Sequence, residues 1–379
     1  MNRMDKRIPL ATPTMHGNEM RYIQEAFQLN WIAPLGFNVD AFESEMSTYL
    51  ADGDAPLHAL ALSSGTAGLH LAVKLAGVKP GDTVFCSDMT FVATANPVIY
   101  EGGCPVFIDS ERETWNMDPA ALEKAFEKYP DTRVVILAHL YGTPSKLDEI
   151  QEICRRHGAV LIEDAAESLA ATYRGRQTGT FGQYGILSFN GNKIITTSGG
   201  GMLLSASEDA IRKAFYWAAQ AREQTVWYQH EEVGYNYRMS NVVAGVGRGQ
   251  LKYLNEHRVA KEAIYHRYQE GLRGLPVTMN PYIEEIMQPN FWLSCMLIDE
   301  GCSVAPMEIY ERLIDLNIET RPLWKPMHMQ PLFLGNDLIT VTDQPVTEDL
   351  FARGLCLPSD IKMTPEEQES VIQALREMF

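Results

Sequence analysis

Five short apolar runs, separated by helical or glycine-containing stretches, set the strongest limit on how this chain can fold. They are Thr83-Val-Phe-Cys86, Pro105-Val-Phe-Ile108, Arg133-Val-Val-Ile-Leu137, Ala159-Val-Leu-Ile162 and Gly185-Ile-Leu-Ser188. Their continuous Val/Ile/Leu character, with helical spacing at 119–129 and 146–157 between them, implies a mostly parallel sheet covered by helices on both faces. A sixth unit, His58-Ala-Leu-Ala-Leu-Ser-Ser-Gly65-Thr66-Ala67-Gly68, reads as strand, glycine turn and helix start. In such α/β sheets ligands bind beyond the carboxyl ends of the strands. That rule selects residues 63–66, 88–91, 139–141, 163–167 and 188–193, so five separate segments are expected on one rim.

The 379 residues suffice for two domains with a large core. We expect a large domain over 1–245, with an N-terminal arm, and a smaller C-terminal α+β domain over 246–379. The arm carries helical spacing at 17–29 and 39–50 around an apolar, breaker-rich loop, Asn30-Trp-Ile-Ala-Pro-Leu-Gly36. Beyond it the spacing predicts one long helix from 241 to about 272, a strand within 290–298 and a helix at 305–316. A terminal helix opens on a capping box, Thr364-Pro-Glu-Glu367.

A net charge of −17 with no offsetting basic tract argues against a nucleic-acid partner. The six cysteines are scattered without a CxxC pair, which points to a reducing compartment and away from a structural zinc. No apolar stretch of membrane-spanning length appears, and the charged N-terminus does not read as a signal peptide. A cytoplasmic protein with no membrane partner and no metal is the expectation.

The rim residues carry chemistry that no one of them establishes alone. Lys193 lies five residues after Ser188, in a turn beyond a strand, and three glycines follow at 199–201. A lysine there is a candidate for Schiff-base formation with an aldehyde cofactor, or a solvated surface charge. Asp164 ends an apolar strand, where a carboxylate needs a partner. A pyridinium nitrogen would serve, and so would the start of a following helix. Phe91 offers either a stacking face or a core contact. Gly65 and Thr66 begin a helix whose free N–H groups suit a phosphate, and Ser188 could share it; a plain helix cap is the simpler reading of the glycine turn. Together these residues supply what pyridoxal phosphate needs: a lysine, an acid for the ring nitrogen, a ring stack and a phosphate cradle. The glycines at 199–201 let the backbone turn and carry no chemistry.

The motifs Ser64-Gly-Thr-Ala67, Asp88-Met-Thr-Phe-Val-Ala-Thr94, His139-Leu-Tyr-Gly142, Glu163-Asp-Ala-Ala166, Ser188-Phe-Asn-Gly-Asn-Lys193 and Gly234-Tyr-Asn-Tyr-Arg-Met-Ser-Asn241 carry a resemblance that runs over nearly the whole chain. In them the sequence resembles the DegT-type sugar-nucleotide aminotransferases, which have the aspartate-aminotransferase fold, type I among pyridoxal phosphate enzymes, with a sheet of the seven-stranded type. The resemblance implies that Lys193 bonds the cofactor, Asp164 pairs with the ring nitrogen, Phe91 stacks on the ring, and Gly65, Thr66 and Ser188 hold the phosphate. It also implies that Asn236 reaches the phosphate site of a neighbouring subunit, making the active site a property of a homodimer. Glu167 stands where the family usually has Gln or His at a cofactor-contacting position; an ionised Glu cannot donate to the ring oxygen, so Glu167 is either protonated, in contact with the substrate, or turned away. Relatives with histidine in place of Lys193 are dehydratases; lysine here implies transamination.

Two stretches resemble the subgroup that aminates C4 of UDP-4-keto-6-deoxy-N-acetylhexosamines on the route to bacillosamine-type sugars, with L-glutamate as donor. In the first, Trp31, Ile32 and Ala33 are candidate substrate contacts. In the second, Arg321, Lys325 and His328 offer donors for a diphosphate or carboxylate, and Trp324 offers either a flat sugar-binding face or core packing. Arg238 is a further candidate anion contact, supplied by the neighbouring subunit. Amination at C3, or of a GDP- or dTDP-linked sugar, is the alternative within enzymes, and a non-catalytic cofactor-binding regulator is the alternative outside them. A nicotinamide dehydrogenase is set aside because no GxGxxG follows the first strand.

Overall fold

The computed structural model describes residues 6–53 and 55–379. In chain order its strands are β1 (His58–Leu62), β2 (Thr83–Ser87), β3 (Cys104–Ile108), β4 (Val134–Ala138), β5 (Val160–Asp164), β6 (Thr172–Tyr173), β7 (Arg176–Gln177), β8 (Tyr184–Ser188), β9 (Gly201–Ser205), β10 (Val277–Met279), β11 (Met287–Gln288), β12 (Ser294–Ile298), β13 (Arg321–Pro322), β14 (Leu338–Ile339) and β15 (Gly354–Leu357). Eight of them form one sheet in the order β1-β9-β8-β5-β4-β2-β3-β14, a second sheet runs β10-β12-β15-β13, and a third runs β11-β6-β7.

The large sheet is mostly parallel, as the continuous apolar runs require. Only β9 runs against its neighbours, β1 and β8. Two features were not anticipated: the reversed β9, and an eighth strand where seven were expected. The eighth, β14, comes from the C-terminal third and pairs with the outer edge of β3. It is only two residues long, too short to leave a periodic pattern.

Alternation along each strand divides the core. Val84, Cys86, Ile136, Ile162 and Ile186 pack on one face with helices Gly65–Leu75 and Glu208–Ala218. Phe85, Val135, Leu137 and Leu161 pack on the other with helices Pro119–Lys128 and Leu147–His157. A separate apolar cluster, including Tyr265, Tyr268, Met296, Ile309, Leu355 and Val371, fills the space between the four-stranded sheet and its helices. The capping box forms as expected: Thr364 Oγ1 accepts from Glu367 N at 3.1 Å, and Glu367 accepts from Thr364 N at 2.9 Å.

The single helix expected from 241 to 272 is two, Asn241–Leu251 and Leu254–Gly271. The first lies against the arm, where Gly247 and Gly249 allow contact: a Cβ would come 2.6 Å from the Phe42 ring and 2.7 Å from Glu19 N. The second turns its Ile264, Tyr265 and Tyr268 into the C-terminal cluster. One straight rod cannot serve both surfaces, and the chain bends at Lys252 and Tyr253.

Two buried aspartates at strand ends fasten the C-terminal segment over the sheet. Asp109, just past β3, accepts from the amides of Val346 and Thr347, both at 3.0 Å. Asp88, just past β2, accepts from His328 N (2.9 Å), His328 Nδ1 (2.7 Å) and Thr347 Oγ1 (2.6 Å). Burial works against a charged His328, but Asp88 and then Glu348 outweigh it and hold its pKa above the ordinary value. The sign follows from linkage: a raised folded pKa gives stability that is whole below the unfolded value, about 6.5, and fades as pH rises through the folded one. Replacing His328 by Gln should therefore cost more stability at pH 5.5 than at pH 8.5, compared by urea denaturation with the parent at each pH. An equal loss at both would show that the imidazolium–carboxylate pair contributes nothing.

Candidate functional site

Beyond the carboxyl ends of the central strands lies a cavity of about 340 Å³, whose lining includes Gly65, Thr66, Phe91, Asp164, Glu167, Ser188, Lys193 and Trp324. The rim inferred from strand ends is thus a real concavity, and each of its five segments lines it or lies beside it.

Asp164, the last residue of β5, is buried. Thr94 Oγ1 donates to its Oδ2 at 2.7 Å, so in the 2.6 Å bond between Thr90 and Thr94 the Thr90 hydroxyl is the donor. The other oxygen, Oδ1, accepts from Ala166 N at 3.2 Å. Asp164 therefore caps the turn after its strand and still presents a carboxylate to the cavity. Burial raises its pKa, against the opposing pull of Thr94, Ala166 N–H, Lys193 and His139.

Lys193 sits in a loop that closes on itself. Phe189 N donates to Gly200 O at 2.9 Å, and Lys193 N to Asn190 O at 3.0 Å. The ammonium lies 3.9 Å from the centre of the Trp292 ring and 3.6 Å from Glu167 Oε1. Trp292 is fixed by its indole N–H, which donates to Asn192 O at 2.7 Å. Glu167, whose pKa is also raised by burial, accepts from Tyr141 N at 2.8 Å. Tyr141 takes a left-handed conformation, φ 52°, which aims that amide at the carboxylate. Its hydroxyl in turn accepts from Trp324 N at 2.7 Å.

Across the cavity, Ser64 caps the helix Gly65–Leu75 by accepting from Ala67 N at 3.0 Å. The amides of Gly65 and Thr66 precede the first intrahelical bonds and remain available, as at any helix start. A Cβ on Gly65 would stand 3.2 Å from Ser188 Cβ and 3.6 Å from its hydroxyl. The missing side chain leaves a small polar niche between the helix start and β8. Gly201 contributes to it as well: its Cβ would lie 2.3 Å from Gly65 N, so the glycine triplet is more than a turn.

The other expected site residues do not line this cavity. Trp31, Ile32 and Ala33 lie on a loop tied to Asn241, whose Nδ2 donates to Trp31 O at 2.7 Å and whose amide donates to Ala33 O at 2.9 Å. Asn236 is exposed. Arg238 is turned inward within its own chain: its Nη1 pairs with Glu43 at 2.9 Å and donates to Ala61 O at 3.1 Å. Arg321 pairs with Glu319 at 2.9 Å, and His328 is held by Asp88. Lys325 lines an adjoining apolar groove with Phe91, Trp324 and Leu332. Residues not singled out also face the cavity, notably Thr90, Asn190, Asn192 and Trp292. The two asparagines were legible, since both lie within the three residues before Lys193. Trp292 was not, because it arrives from a strand-like segment a hundred residues away.

The model of the DegT/DnrJ/EryC1/StrS aminotransferase family matches residues 13–376. EpsN of Bacillus subtilis (strain 168), whose name proposes a pyridoxal phosphate-dependent aminotransferase, is 51% identical over 99% of this chain and 97% of its own length. The GDP-perosamine synthase of Caulobacter vibrioides is 35% identical, covering 98% of each chain. Among solved structures, the aminotransferase TlmJ from Streptoalloteichus hindustanus superposes with a TM-score of 0.89 at 28% identity, covering 98% of each chain.

The niche gives a direct test. Gly201→Ala should lose about 1–3 kcal/mol of stability, because the new methyl meets backbone that cannot give way. Gly199→Ala, with nothing within 4 Å of its Cβ, should lose far less in the same urea titration. Equal losses would remove the close approach as the cause.

Proposed function

The chain belongs to the DegT/DnrJ/EryC1/StrS aminotransferase family, and we propose that it moves an amino group from L-glutamate to C4 of a UDP-4-keto-6-deoxy-N-acetylhexosamine. Sugar-nucleotide aminotransfer with pyridoxal phosphate is the activity of the family. The observation that carries the assignment to this cavity is the meeting of Lys193, Asp164 and the Gly65–Ser188 niche across one small space.

The residues present fit the cofactor. Asp164 is a buried acid with one oxygen toward a short hydroxyl chain and the other on an amide, suited to a ring cation. The niche at Gly65, Thr66 and Ser188 offers amides and a hydroxyl to a phosphate. Phe91, 52% exposed, and Trp324 stand at the mouth with ring centres 5.5 Å apart. When bound, pyridoxal phosphate supplies the aldehyde carbon that carries the amino group from donor to acceptor. Lys193 would bond that carbon and, once released, move a proton with its amine. Trp292 keeps the amine over its face, and the burial of Asp164 with the low side-chain exposure of Glu167, 11%, limits water at the reacting end.

The C4 position and the UDP handle rest on the resemblance of residues 30–36 and 321–328 to one subgroup. Of these, Trp324 lines the cavity of a single chain; residues 30–36 lie outside it, and the reading brings Trp31, Ile32, Ala33 and Asn236 to it from a second copy. Two exposed apolar groups favour that homodimer: Phe27, Leu29, Trp31, Ile32 and Leu35 in the arm, and Val226, Trp227, Tyr228 and Val233 in the segment before Asn236. A GDP-linked keto sugar is the second reading, favoured by the perosamine synthase relative.

With pyridoxal phosphate the protein should show the visible absorbance band of a lysine-bound cofactor, and L-glutamate should bleach it with release of 2-oxoglutarate. Lys193→Ala should show no such band; a band that persists would sink the lysine assignment. In a panel of keto-sugar nucleotides the UDP-4-keto sugar should be aminated fastest. Turnover only with a GDP sugar would select the second reading, and turnover only with a dTDP-3-keto sugar would overturn both.

A further inference from the structure

We propose that Glu167 takes the proton that the free Lys193 ammonium must shed before it can act as nucleophile or base. The inference rests on the reading of Lys193 as the reacting amine. Glu167 Oε1 stands 3.6 Å from Lys193 Nζ, about 0.7 Å beyond hydrogen-bond length. A small side-chain adjustment or one bridging water closes that gap. The side chains are only 12% and 11% exposed for lysine and glutamate, so little bulk water competes for the proton.

The geometry holds this carboxylate in place for the exchange. Its Oε2 is fixed by Tyr141 N–H, presented by a left-handed backbone that only tight surroundings maintain. Those surroundings are Trp292 and Trp324, stacked near the Tyr141 ring, and Asn290, whose Oδ1 would lie 1.8 Å from a Cβ on Gly142. The Trp324 indole N–H also faces Glu167 yet lacks an acceptor in hydrogen-bond geometry. One carboxylate oxygen is thus committed to the Tyr141 amide, and the other, Oε1, is the one nearest the lysine.

The proton balance is closed. The Nζ–H bond breaks and an Oε1–H bond forms, and the pair passes from ammonium and carboxylate to amine and carboxylic acid. Burial raises the Glu167 pKa; Lys193 and the Tyr141 amide oppose it, Asp164 adds to it, and the Trp324 indole opposes it again. In a dry site the neutral pair avoids the cost of two desolvated charges. The other titratable groups around the pair are already engaged. His139 accepts from Ser145 N at 3.1 Å on Nδ1, so its other nitrogen donates to Glu163 at 2.9 Å. The Tyr141 hydroxyl and the Cys295 thiol, on β12 beneath it, are held far from ionisation by burial. Cys356, on β15, lies 3.6 Å from Cys295. Glutamine at 167 could keep the Tyr141 bond through its carbonyl oxygen but could not accept the proton.

An internal transfer leaves a signature that a mere counter-ion does not. The fraction of neutral amine within a net-neutral pair is independent of bulk pH. The full chain, stripped of cofactor, is labelled with a trace of acetic anhydride, and acetylation of Lys193 is followed by peptide mass spectrometry. In the parent the rate should change less than about threefold between pH 6 and 8. In Glu167→Gln it should fall about tenfold for each unit of acidification below its midpoint, the slope of a single proton. Urea denaturation of the variant checks that its fold is intact. A single-proton slope in the parent, or a flat profile in the variant, would overturn the proposal. Failure of the underlying reading is seen separately, as a lysine-bound cofactor band that survives Lys193→Ala.

Discussion

Keeping a carboxylate dry at the end of a central strand is the condition on which the rest of this site is arranged. Asp164 closes β5, flanked in the sheet by β4 and β8, and little water reaches it. A charge there must be stabilised locally or it neutralises. The chain answers with a hydroxyl relay from Thr90 through Thr94 and with the Ala166 amide. All of these lie on strand-end turns, so the acid is held by the same geometry that makes the sheet. Lys193 and Glu167 repeat the problem one layer out: two desolvated groups of opposite charge, each incompletely satisfied by the other. A cavity lined by such groups is predisposed to take a polar, flat, charged guest.

Much of the large sheet and the cofactor end of the site was legible, for reasons that can be named. Strands buried on both faces leave continuous Val/Ile/Leu runs, and the strand-end rule then places Gly65, Phe91, Asp164, Ser188 and Lys193 together without any contact being known. β14 escaped because two residues carry no period. The break at Lys252 and Tyr253 escaped because no proline marks it; it follows from which surfaces the two halves cover. Trp292 escaped because a buried tryptophan beside a strand looks like core until the lysine is seen above it.

The residues placed by resemblance in the sugar-binding stretches are instructive in another way. Arg238 carries the right charge, yet one of its nitrogens, Nη1, is already given to Glu43 and Ala61 O. His328 has the right donors, yet they serve Asp88 and Glu348. Residue type says what a side chain can do; only the neighbours say whether it is free to do it. The apolar side chains at 226–228 and 233 show the converse, being unoccupied within one chain where apolar surface is costly to expose.

The segment bearing Trp324 has a consequence for traffic through the site. It is pinned on one side by the Tyr141 hydroxyl and on the other by Asp88, whose carbonyl accepts from Met327 N at 2.9 Å and whose carboxylate holds His328. Swinging it aside would strip a buried carboxylate of two donors at once. This wall is therefore a doorpost and not a door. Any guest of the cavity meets it as a fixed surface, with the exposed ring of Phe91 beside it.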